Sequence, residues 1–195
     1  DTKEHASFQQ GERGYLGAVD TWIEPANRSA NHGGETDLHC LNTSFEEQTL
    51  VRFTDLFGTE IRNIPIGATI HSARLILTSS QALFAGSGAE HGLHRMLVPW
   101  QSNVSWDAPE FGGNGVQLDG AEASPTAESR LLVGIGDDAT VGFDVTESVR
   151  AWSRGAENHG WVLVQGVGDD RWFLSSSESN FLARRPRLEV QYTVQ

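Results

Sequence analysis

The chain has 195 residues, with 26 Asp and Glu against 14 Lys and Arg and a formal net charge of -12. That balance opposes nucleic acid and anionic membrane as long-range partners, and no apolar run is long enough for membrane insertion. Cys40 is the single cysteine, which excludes an internal disulfide framework.

The length suits one domain, and residues 1–195 are expected to form a single module. Residues 1–13 are polar and acidic and are expected to form a loose arm. Strands are then predicted over 14–23, 36–41, 49–55, 69–78, 92–98, 116–118, 130–133, 141–145, 161–165, 172–176 and 187–192. Gly, Pro, Asn and Asp separate them, as turns require. In 69–78 the set His71, Ala73, Leu75 and Leu77 is the better core face, which leaves Arg74 to solvent. In 36–41 Cys40 shares a face with Leu38 and reads as a small buried apolar residue. Residues 107–129 are rich in Gly, Ala and acids, too long for a hairpin turn, and are a candidate functional loop. Val145, Val149 and Trp152 fall at i, i+4 and i+7, which predicts one short helix over 146–153 with Thr146 as its cap. Many short strands with one short helix predict an all-β antiparallel sandwich of jelly-roll type.

Several motifs occur in a fixed order: Asp20-Thr21-Trp22-Ile23, then Leu50-Val51-Arg52-Phe53, then 64–70, then Trp100 with Ser105-Trp106 and Pro109. The end of the chain adds 141–146, Asn158-His159-Gly160-Trp161, the segment from Phe173 to Glu178, and Arg185-Pro186-Arg187-Leu188-Glu189-Val190. Together they resemble the DNRLRE domain family, also classed as carbohydrate-binding module family 96, over roughly Tyr15 to Tyr192. The family's Ser-Arg-Glu near the end stands here as Ser176-Ser177-Glu178, and 57–63 lengthens one connection. The resemblance implies a secreted, extracellular module of bacterial type that binds polysaccharide, acidic chains included, without catalysing a reaction. Its implied partner is a catalytic domain in the same polypeptide. The alternative is a structural or adhesive sandwich without a sugar site; a lyase or hydrolase ranks last, since no nucleophile elbow or phosphate-cradling loop is present.

Ligand-binding candidates are Arg52, Arg95, Trp100, Trp161 and Arg171: planar cations to hold acidic groups and indole faces on which sugars stack. Trp22, Trp106, Trp152 and Trp172 hold patterned positions and are expected to pack. For Arg52 a structural ion pair with Asp144, Glu178 or Glu189 comes first, and the ligand role is its rival. The resemblance also implies a structural Ca2+, for which Asp20, Asp55 and Glu178 are the candidate ligands; an Asp beside a turn serves equally as a backbone cap. His91 and His94 are spaced for zinc only on a helix, and this segment reads as strand.

Overall fold

The computed structural model describes residues 2–42, 46–132 and 134–194. Val133, the end of one predicted strand, lies outside them. Eleven strands run in chain order: β1 (Glu4–Gln9), β2 (Ala18–Ile23), β3 (Asp37–Cys40), β4 (Gln48–Phe53), β5 (Thr69–Thr78), β6 (His91–Arg95), β7 (Ser129–Leu131), β8 (Thr140–Asp144), β9 (Trp161–Gln165), β10 (Trp172–Ser175) and β11 (Arg187–Thr193). Among the described residues one α-helix, α1 (Thr146–Ser153), joins β8 to β9.

The strands form a four-stranded sheet in the order β1-β11-β5-β8, a five-stranded sheet in the order β2-β4-β9-β6-β7, and the pair β3-β10. All pairings within these sheets are antiparallel. From β4 onward the chain passes repeatedly from one large sheet to the other, and the first and last strands pair, the connectivity of a jelly roll. Between the sheets lies the main core, in which Phe8, Phe53, Leu75, Phe143, Leu163 and Leu188 are fully buried.

Residues 4–9 do not form a loose arm. Glu4 to Gln9 pair along their length with Tyr192 to Arg187, and Phe8 is 1 % exposed. An edge strand of a sheet with one wet face needs few inward apolar side chains, here Ala6 and Phe8 with Gln9 buried beside them, so its sequence looks polar.

In β5 the predicted alternation holds for Ala73, Leu75 and Leu77, all buried. It breaks beyond them. Gln191 pairs with Ser72 but Tyr192 with Ile70, so His71 is the extra residue of a β-bulge, and Ile70 rather than His71 turns to the core.

The helix stands where its period places it, with Val149 and Trp152 buried, but Thr146 does not cap it. Its hydroxyl donates to Asp144 Oδ1 at 2.6 Å and accepts from the Ala73 N–H at 3.0 Å, tying the helix start to β5. The capping acceptor is Glu128, whose Oε1 accepts from the Ser148 N–H at 2.7 Å while Oε2 accepts from the Ser148 hydroxyl. The Asn158-Gly160 turn is likewise built into the sheet. Asn158 donates to the Phe53 carbonyl at 2.7 Å, and Gly160 at φ 69° lies so close to β4 that a Cβ would sit 2.2 Å from the Val51 carbonyl oxygen.

Residues 96–123 close over the outer face of the five-stranded sheet. Trp100, Trp106, Phe111, Val116 and Ala123 form a second core against Ile23, Leu50 and Val162. Gln48 pins the loop at both backbone groups of one residue, accepting from the Val116 N–H at 2.8 Å and donating to its carbonyl at 3.0 Å. No strand is present at the predicted 116–118; the Gln48 side chain provides the pairing there. Among the described residues no helix is long and apolar enough to cross a membrane.

Candidate functional site

The two tryptophans expected to offer sugar platforms are inside the protein. Trp100 is 1 % exposed in the second core and its Nε1–H donates to the His159 carbonyl at 2.7 Å. Trp161 is 0 % exposed, its Nε1–H shared between Glu128 Oε2 and Ser148 Oγ at 3.2 Å each. Neither can stack on a ligand, because both faces are already packed and both N–H groups are bonded.

The arginines divide. Arg52 lies on the outer face of β4 with its guanidinium carbon 5.0 Å from the centre of the Trp100 ring, and burial pulls its pKa below the usual arginine value. None of Asp144, Glu178 or Glu189 accepts a hydrogen bond from it; the ring is its partner. Arg171 makes two bonds of 2.6 Å to buried Glu47 and lies over Phe173 at 5.5 Å. That bidentate pair holds β10 to the start of β4 and uses the fork a ligand would need. Arg95 is half-buried in β6, where its carbonyl accepts from the Ser124 N–H at 2.9 Å, and its guanidinium makes no hydrogen bond to a described residue.

The three carboxylates considered for calcium are not gathered into one cage. Asp20 is buried and accepts from the Ser177 N–H at 2.8 Å; burial pushes its pKa up to about 7. Asp55 is exposed in left-handed backbone at φ 53°, and Glu178 is exposed. Among the described residues no group of three or more His, Cys, Asp or Glu is placed to hold a metal ion. A hard cation needs six or more oxygens. Asp20, Asp55 and Glu178 do not form such a group.

A different place combines the properties a sugar needs. The start of β3, the end of β10 and two loops enclose a cleft of about 320 Å³ lined by Thr36, Asp37, Gln81, Ser175, Asn180 and Phe181, with Ala82 and Ser179 completing it. Asp37 is in register with Ser175. Beyond that pair Ser176 continues the contact, its N–H donating to the Thr36 carbonyl at 3.0 Å and its hydroxyl to the Glu35 carbonyl at 2.6 Å. On the opposite wall the Ser80 hydroxyl accepts from the Ala82 N–H at 3.1 Å, a local turn that presents Gln81. Ser179 does the same for Phe181, accepting from its N–H at 3.3 Å. Phe181 is 52 % exposed; besides Phe84, in the loop after Ala82, it is the exposed aromatic ring of the described residues. Burial and the nearby Glu35 raise the pKa of Asp37, against the opposing bond from Ser80.

The wall that carries Thr36 is braced by a stack absent from the sequence reading. His32 and His39 sandwich the Trp22 indole at centroid distances of 3.7 and 3.9 Å, with interplanar angles of 14° and 25°. Glu35 accepts from the Trp22 Nε1–H at 2.9 Å and lies 2.7 Å from His32 Nδ1, which holds its carboxyl below the usual range despite partial burial. His39 titrates at about 4, pulled down by burial and by Arg171. The three residues come from β2, a loop and β3, so no local period could have linked them.

The outer face of the four-stranded sheet is open. Ser7, Glu189, Arg74 and Asp144 form one row across it. Among the described residues it offers hydrogen bonds and the His5 imidazole but no Phe, Tyr or Trp ring.

The chain matches no protein-family model and no curated protein.

Proposed function

We propose that this chain is a non-catalytic polysaccharide-binding module, and that its sugar site is the cleft beside Phe181. The observation that carries the proposal is the pairing of one exposed aromatic ring with a wall of short hydroxyl, amide and carboxylate side chains in a cleft of about 320 Å³. A pyranose places a C–H face on such a ring while its hydroxyls bond to the polar wall. The volume falls within the range of small-molecule sites. Hydrolysis of a glycosidic bond by the usual route needs two carboxyl groups flanking it, and the lining supplies one, Asp37. The proposal goes with a secreted protein whose module is tethered to a catalytic domain, where modest affinity is raised by effective concentration.

Affinity electrophoresis through gels containing a panel of soluble polysaccharides tests it. At least one glycan is expected to retard the protein, and Phe181→Ala is expected to weaken that retardation about tenfold or more, a loss equivalent to one stacking contact of about 1.4 kcal/mol. Retardation by no glycan, with the chain folded, returns the module to the structural or adhesive alternative.

A further inference from the structure

We infer that the glycan held beside Phe181 is a neutral one, an inference that rests on the polysaccharide-binding proposal and narrows it. Arginine-based recognition of acidic chains is what the composition suggests, and the structure directs these cations elsewhere. No cationic side chain lines the cleft; its one charged group is Asp37. Arg184 and Arg185 are adjacent in sequence to the Phe181 loop, but both point into the fold. Arg184 donates to the Ser79 carbonyl at 3.0 Å and pairs with Asp138, and Arg185 donates to the Ser179 and Gln10 carbonyls at 2.8 and 2.9 Å. Arg171 is held by Glu47.

A uronic acid or sulfate in the cleft therefore meets Asp37, with Glu35 close enough to act on it, and no opposing charge. In the reduced dielectric of a cleft such a like-charge contact is costly. Two adjacent hydroxyls of a neutral sugar are the complement of the same carboxylate: each donates one hydrogen bond, and bonds to a charged acceptor are the stronger kind. The amides of Gln81 and Asn180 supply donors for further sugar oxygens.

The test compares the intact chain with Asp37→Asn and Phe181→Ala in affinity gels and calorimetry at low ionic strength. The probes are a soluble β-glucan and a galactomannan as neutral chains, and alginate and polygalacturonate as acidic ones. Melting temperature and circular dichroism check that each variant is folded. The expected result is binding of a neutral chain, weakened about tenfold by either substitution, with acidic chains bound at least about tenfold less well. Asp37→Asn is also expected to narrow the gap between neutral and acidic chains, because the repulsion leaves with the charge. Acidic chains bound as well as neutral ones, and lost in Phe181→Ala, overturn the neutral assignment and leave the proposed function standing. Neutral binding untouched by both substitutions overturns the cleft as the site. Binding of none of the four probes overturns the neutral assignment and, with the wider panel also silent, the proposed function itself.

Discussion

Asp20 is visible in the sequence as part of an Asp-Thr-aromatic motif, and its position in space changes what it does. Buried at the inner side of β2, it accepts from the Ser177 N–H and so ties the first motif of the chain to the serine run that leads to the cleft. Its folded pKa of about 7 stands above its ordinary value of 3.8, so between those values the folded state holds a proton that the unfolded state has released. The contribution of Asp20 to stability therefore falls as pH rises from about 4 to about 7, and levels off above. Asp20→Asn keeps an oxygen for the Ser177 N–H and removes the titration. The variant is expected to match the parent near pH 4 and to exceed it by a few kcal/mol at pH 8, each pKa unit being about 1.4 kcal/mol. Urea denaturation of both proteins across this range measures the difference. His39 acts in the opposite sense. Its pKa is lowered to about 4, so its share of stability is lost as pH falls from about 6.5 toward 4. The comparison between the two proteins cancels it.

At the level of elements, the strands with a clear period of two and the helix with its i, i+4, i+7 spacing stand where the pattern places them; β5 and β9 run over the predicted residues. The exceptions each have a cause that acts across the chain. β1 pairs only with the last strand, roughly 180 residues away, and carries two inward apolar side chains. His71 leaves the core face because the facing strand advances one residue against two. Thr146 yields the cap to Glu128, a residue from another loop whose carboxylate also reaches Trp161. The status of β1 as part of the fold is open to test: Phe8→Ala is expected to cost about 3–5 kcal/mol, as for other buried phenylalanines. Chemical denaturation with unchanged m-value supports integration of the strand. A cost below about 0.5 kcal/mol points to an arm that is not held.

Across the whole molecule, the five-stranded sheet is buried on both faces along β2, β4 and β9, by the jelly-roll core on one side and by residues 96–123 on the other. The long loop is thus a second core layer, and the sugar platform that a bare sheet face would offer is occupied by the protein's own tryptophans. Phe111→Ala, at the centre of that layer, is expected to lower stability by about 3–5 kcal/mol in a single cooperative transition. Fluorescence and circular dichroism followed together test it, and separate transitions would identify the loop as an independent unit.

Composition, alternation and turn residues were enough to establish an all-β sandwich with one short helix, because strand and helix periods are local properties of a chain folding around one core. The buried packing of Trp22, Trp106, Trp152 and Trp172 could be read in the same way. Which tryptophans, arginines and acids would be free could not. Trp100 and Arg52 are 48 positions apart and meet only when a loop folds onto a sheet; Arg171 meets Glu47 at a separation of 124. The cleft beside Phe181 joins four segments whose members are ordinary turn residues taken singly. Exposure, partnership and the space between segments are decided by tertiary packing, since a side chain's free valence depends on what the rest of the chain brings against it.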